Sequence, residues 1–123
     1  MFKAVRTGID LCRISRMAEL QENDAFLRRV LSEDEIAYFQ GKGVMAAASL
    51  AGLWAIKEAV LKAAGEGLGI PMRDIEITHD GKGKPSVHLR GKANEILGGA
   101  LIDVSVTHEG DYAAAVCTAL IPE

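Results

Sequence analysis

Residues Leu50–Gly69 read LAGLWAIKEAVLKAAGEGLG, and the period of this stretch decides the fold. At about 100° per residue it predicts a helix. One broad apolar face then carries Leu50, Leu53, Trp54, Ile56, Val60 and Leu61. Ala51, Ala55 and Ala59 form a small-residue side along which another backbone can approach closely. Glu58 falls at the edge of the apolar stripe beside Trp54, with Lys62 one turn further on. Lys57 lands inside the stripe, where an ammonium is rarely buried alone. Either its head reaches out to solvent or an anion waits for it. The helix breaks in Gly65-Glu66-Gly67-Leu68-Gly69, where Gly65 and Gly67 let the backbone turn or meet a ligand. Glu58 and Lys62 have a plain reading as an exposed i,i+4 ion pair contributing ~0.2–0.5 kcal/mol, so the flanking sequence must decide between that and a site.

Composition bounds the choices. The 123 residues predict a single domain, 1–123, with 49% hydrophobic and 25% charged residues, the balance of an ordered globular chain. A net charge of −3 argues against general nucleic-acid binding, so any anion site has to come from locally clustered Lys and Arg. The longest apolar run, Val44–Ile56, is interrupted by Ser49 and Gly52 and reads as too short to cross a bilayer. No secretory hydrophobic segment opens the chain. Cys12 and Cys117 are the only cysteines and form no CxxC, which predicts two reduced, buried thiols in a cytoplasmic protein.

Outward from the central helix, Phe2–Asp10 reads as a strand ending in Gly8-Ile9-Asp10. Asp10 there either caps the next helix or holds a metal with other carboxylates. Leu11–Leu20 predicts a short amphipathic helix with Arg13 and Arg16 outward, and Phe26–Leu31 another apolar turn beside Arg28 and Arg29. These arginines are a basic patch or simply a solvated surface. Ser32-x-x-Glu35 is a capping box opening a helix to about Phe39, and the central helix is expected from about Val44. Asp74–Thr78 and Pro85–Arg90 flank Asp80-Gly81-Lys82-Gly83-Lys84 and predict a hairpin. A short helix over Gly91–Leu97 follows, then strands Leu101–His108 and Tyr112–Leu120. His79 and His88 have no partner at zinc-ligand spacing. The fold class is therefore α+β: a long central helix packed on a small, mostly antiparallel sheet, with short helices near the amino end.

Three segments, in this order and spacing, resemble the motifs of the phosphopantetheinyl transferases: Gly8-Ile9-Asp10, Trp54–Lys62 (WAIKEAVLK) and Ser105–Val116 (SVTHEGDYAAAV). Arg29-Val30-Leu31-Ser32 with Glu35 resembles the family's R-x-L-T/S-x-x-E segment, and Gly83-Lys84-Pro85 its G-K-P turn. Length and single-copy architecture are similar to the small holo-acyl-carrier-protein synthase group, and the resemblance covers nearly the whole chain. It implies transfer of 4′-phosphopantetheine from coenzyme A to a serine of apo acyl carrier protein, with Mg²⁺ and release of adenosine 3′,5′-bisphosphate. On this reading Asp10 and Glu58 share the Mg²⁺, few protein ligands being the habit of that ion. Lys62 lies on the phosphates. Lys57, Gly65, Gly67, Lys84, Pro85 and His108 approach coenzyme A, and Arg16 and Arg29 dock the acidic carrier. The base for the serine proton is left open among Glu58, a metal-bound water and Glu109. The resemblance further implies a homotrimer with sites between subunits. Two features depart from it: Gln21–Asp24 is neutral or acidic, and Arg13 replaces a frequent acidic residue. A non-enzymatic coenzyme A-binding trimer and a carrier thioester hydrolase are the competing readings; the first should lack Asp10 or Glu58, and the second has no visible constellation of its own.

Overall fold

A computed structural model describes residues 1–65 and 69–123. Strand β1 spans Phe2–Arg13, followed by helices α1 (Ile14–Leu20), α2 (Asp24–Val30), α3 (Glu33–Gln40) and the 19-residue α4 (Ala46–Ala64). Strands β2 (Ile75–His79) and β3 (Pro85–Leu89), helix α5 (Gly91–Leu97), and strands β4 (Leu101–Glu109) and β5 (Tyr112–Pro122) complete the chain. Among the described residues two antiparallel sheets result, one three-stranded in the order β1-β5-β4 and one the β2-β3 hairpin. The expected α+β architecture is the observed one.

The three-stranded sheet and α4 meet through small residues. Ala51, Ala55, Ala59 and Ala63 of α4 are buried, as are Ala113, Ala115, Cys117 and Ala119 of β5. Closest of all is Gly8, where an added Cβ would lie 1.8 Å from the Ala59 carbonyl oxygen and 2.8 Å from the Ala63 amide nitrogen. The small-residue side of the helix is thus filled by the sheet. Leu50, Leu53, Ile56 and Val60 face a core shared with Met17, Phe26, Leu27, Val30 and Phe39 from the amino-terminal helices. Gly43–Ala64 is long and apolar enough, at a mean hydropathy of 1.5, to cross a membrane by length and composition alone, contrary to the reading of the shorter Val44–Ile56 run; more than half of it is buried inside the domain.

Boundaries moved where pairing overrode local pattern. β1 runs on to Arg13, because Leu11, Cys12 and Arg13 pair with Ala114, Ala113 and Tyr112 of β5. The first helix therefore starts at Ile14 rather than Leu11. A 3-10 turn, Gly43–Met45, precedes α4 where helix was expected from Val44. Asn23 caps α2 and the Ser32/Glu35 capping box opens α3, as its spacing predicts. Cys12 and Cys117 are free and buried, and burial pushes both thiols up to about 11.

The far side of the three-stranded sheet carries apolar residues that the described residues leave uncovered. Val5, Ile9, Leu11 and Leu101 are 61%, 70%, 65% and 61% exposed, and Ile9 stands beside exposed Val116 across the β1–β5 ladder.

Because Gly8 touches backbone rather than a flexible side-chain tip, Gly8→Ala is expected to cost about 3 kcal/mol or more. Urea unfolding at fixed protein concentration checks this, and a stability unchanged within error would contradict the close helix–strand contact.

Candidate active site

Strand alternation turns Asp10 toward α4, on the same face as Gly8 and Cys12. The Gly8 contact brings that part of β1 against the carboxyl-terminal half of α4, where Glu58 and Lys62 lie one turn apart. The Lys62 ammonium donates to the Ile9 carbonyl at 2.9 Å and to Asp10 Oδ1 at 3.2 Å. Its ion-pair partner among the described residues is thus Asp10, so the plain i,i+4 reading with Glu58 gives way. Asp10 Oδ2 is buried with no hydrogen-bond partner among the described residues. Burial raises the Glu58 carboxyl above its ordinary range, the Asp10 charge raises it further, and Lys62 and Arg16 oppose both. Two carboxyl groups that repel, one with a bare buried oxygen, suit a divalent cation. No cluster of three or more His, Cys, Asp or Glu side chains accompanies them among the described residues, and so small a protein donor set fits Mg²⁺, which keeps waters and substrate phosphates. Asp10 does not cap the next helix: Asp111 takes the α1 amides.

Trp54, Glu58, Leu61, Lys62, Gly65, Ile70 and Met72 line a cleft of about 450 Å³. Gly65 closes α4 at its rim in the left-handed conformation, φ 76°, its N–H reaching the Leu61 and Lys62 carbonyls. Gly67 lies outside the described residues. Along one wall the Arg16 guanidinium sits 5.4 Å over the Trp54 ring, Trp54 lies 5.6 Å from Phe26, and Arg29 sits 6.0 Å over Phe26. Both arginines expected to dock a carrier thus share one aromatic ledge beside Glu58.

Lys57 requires a correction. It is 0% exposed, and its ammonium donates to Glu35 Oε1 at 2.7 Å and to the Val30 and Met72 carbonyls at 3.0 Å each. All three donors are used, so none is left for coenzyme A. The anion waiting for it is Glu35, which also accepts from the Ser32 and Ile77 amides at 2.8 Å each. Burial holds the ammonium below the ordinary lysine range, while the Glu35 charge opposes the shift.

His108 belongs to a different cleft, of about 250 Å³, lined in part by Tyr38, Lys42, Ser49, Gly52, His79 and Gly83. Its Nε2 donates to the Ala48 carbonyl at 2.9 Å. The ring packs over Gly52, where a Cβ would come within 3.2 Å of Nε2. This cleft shares no lining residue with the Glu58 cleft. Within one chain, then, Asp10, Glu58, Lys62 and Gly65 converge, while His108 stands apart from them. The Lys84 ammonium is 3.2 Å from the Asp103 carboxylate, and Pro85 is buried at the start of β3 beside that second cleft. Sequence reasoning missed Lys42, whose ammonium lies 4.6 Å over the Tyr38 ring, itself stacked on His79 at 4.1 Å. Its placement between Gly41 and Gly43, just before the central helix, was the available signal.

Two carboxyl groups beside a lysine and a glycine-ended helix, on a long helix crossing a small antiparallel sheet, form a donor set that a divalent cation and a phosphate would fit. Residues 6–117 match the model of the 4′-phosphopantetheinyl transferase superfamily. The holo-acyl-carrier-protein synthase of Treponema denticola is 42% identical over 113 residues, covering 89% of this chain and 92% of the relative. The ACPS–CoA complex of Chronobacterium ammoniagenes superposes with a TM-score of 0.83 at 28% identity, over 98% of this chain and 100% of that one. The Bacillus anthracis holo-acyl-carrier-protein synthase in complex with CoA (3′,5′-ADP) gives 0.80 at 29%, over 96% and 99%. The chain belongs to the 4′-phosphopantetheinyl transferase superfamily, and it is an enzyme.

Lys57→Met leaves the buried Glu35 carboxylate without its cation, and the expected cost in urea unfolding is ~3–5 kcal/mol. A loss no larger than that of a surface ion pair, under about 1 kcal/mol, would contradict the buried pairing.

Proposed function

We propose that this enzyme transfers 4′-phosphopantetheine from coenzyme A to a serine hydroxyl of an apo acyl carrier protein and releases adenosine 3′,5′-bisphosphate. The observation that carries this reading is the bare, buried Asp10 Oδ2 beside a Glu58 carboxyl raised partly by the Asp10 charge. Asp10 and Glu58 would hold Mg²⁺, which supplies neutralisation of diphosphate charge. The similarity to structures bearing coenzyme A supports the donor, and the named relatives support the carrier. The serine oxygen forms a new bond to the phosphorus that bears pantetheine, and the diphosphate P–O bond breaks toward the bisphosphate. Two of the three donors of Lys62 are engaged by Ile9 and Asp10, and the third is assigned to the phosphoryl oxygens as charge moves onto the leaving group. Glu58, which lines the same cleft as Lys62, accepts the serine proton.

The working unit on this reading is a homotrimer in the cytoplasm. The uncovered apolar face around Val5, Ile9, Leu11 and Leu101 supports self-association, and two free, buried cysteines suit a reducing compartment. One subunit brings Asp10, Glu58 and Lys62; its neighbour brings His108 and Lys84 to the nucleotide end of coenzyme A. The acidic carrier meets Arg16 and Arg29.

Incubation with coenzyme A, Mg²⁺ and an apo carrier is expected to add the mass of one phosphopantetheine group to the carrier. Glu58→Ala and His108→Ala should each lower the rate at least about a hundredfold. Equal amounts unfolded and refolded together should recover about a quarter of the wild-type rate, since that share of sites pairs an intact Glu58 with an intact His108 across a closed ring. No mass gain with any carrier, alongside coenzyme A binding, would reject transfer in favour of a binding module. Transfer by wild type without recovery in the mixture would reject the shared site.

A further inference from the structure

The first turn of α1 is held from far along the chain. Its N-cap, Arg13, makes no side-chain capping bond, and seven residues are too few for a helix to persist alone. Asp111 takes the open amides. The Ile14 N–H donates to its main-chain oxygen at 2.7 Å, the Ser15 N–H to Oδ1 at 2.9 Å and the Ser15 hydroxyl to Oδ2 at 2.6 Å. Gly110, at φ 57°, turns the chain so that Asp111 arrives there, and the Arg13–Tyr112 pairing fixes the strand ends alongside. Ser15 immediately precedes Arg16, whose guanidinium lies over Trp54 at the edge of the Glu58 cleft.

We propose that Asp111 is a positioning residue for carrier binding: by capping the first turn of α1 it sets the place of Arg16 beside the Glu58 cleft. This rests on the reading of α1 as the carrier's docking surface. The clasp is solvent-exposed, and Met17 still anchors α1 in the core, so loss of Asp111 frays the first turn and leaves the chemistry intact. The consequence falls on one substrate only.

Asp111→Ala is expected to raise the Michaelis constant for the apo carrier about five- to tenfold, the scale of a lost helix cap. The constant for coenzyme A and the kcat at saturating carrier should not change. Asp111→Asn keeps an acceptor oxygen for the Ser15 amide and should restore most of the carrier constant. Amide exchange at Ser15 and Arg16 should quicken in Asp111→Ala while α4 exchange is unchanged. An unchanged carrier constant would overturn the proposal, as would a rise shared equally by coenzyme A. Arg16→Glu, measured alongside, separates the two ways of failing. If it raises the carrier constant and Asp111→Ala does not, the docking surface stands and the proposal falls; if neither does, both fall.

Discussion

The structure turns on a contact between two backbones. At Gly8 there is no side chain, so β1 lies directly against the Ala59 carbonyl of α4. Every buried alanine along α4 and β5 extends the same close approach. Glu58 is the neighbour of Ala59, and Asp10 is two residues beyond Gly8 on the same face of the strand. Close packing and the convergence of two carboxyl groups are therefore one constraint. A larger residue at either contact point would part these two carboxyl groups even if the domain still folded.

The second constraint fixes how α4 is rotated. Lys57 points into the interior and ties together the end of α2, the start of α3, the Met72 turn and, through Glu35, the Ile77 amide of β2. A buried ion pair carries a desolvation cost that often cancels its attraction. Its worth here is geometric, since all three ammonium donors and three contacts to the carboxylate are satisfied by groups on different elements. Successive helical residues differ by about 100° in direction, so with Lys57 locked inward Glu58 has to emerge at the cleft beside Trp54. The same node positions the Met72 wall of that cleft.

Much of this was legible in the chain. The 3.6-residue period over Leu50–Leu61, the alternation in Ile102–His108 and the Ser32/Glu35 box are local signals, and the elements they predict are present. The carboxylate and lysine of the central motif were legible as chemistry, and Asp10 became so through its resemblance to a motif. Lys57 was misassigned because its partner, Glu35, lies 22 residues away and nothing local distinguishes an ammonium aimed inward from one aimed at a nucleotide. Leu11–Arg13 was misread for a similar reason: its strand partners are in β5, about a hundred residues later. The parting of His108 from Glu58 is a property of tertiary packing alone, since His108 packs over Gly52 of α4 while Glu58 lines a separate cleft.

The most direct measurement is Mn²⁺ binding in place of Mg²⁺, followed by electron paramagnetic resonance in the presence of coenzyme A. Wild type should bind one ion per subunit, and Asp10→Asn and Glu58→Gln should each weaken binding by at least about tenfold. Equal affinity in all three proteins would contradict a cation shared by these two side chains.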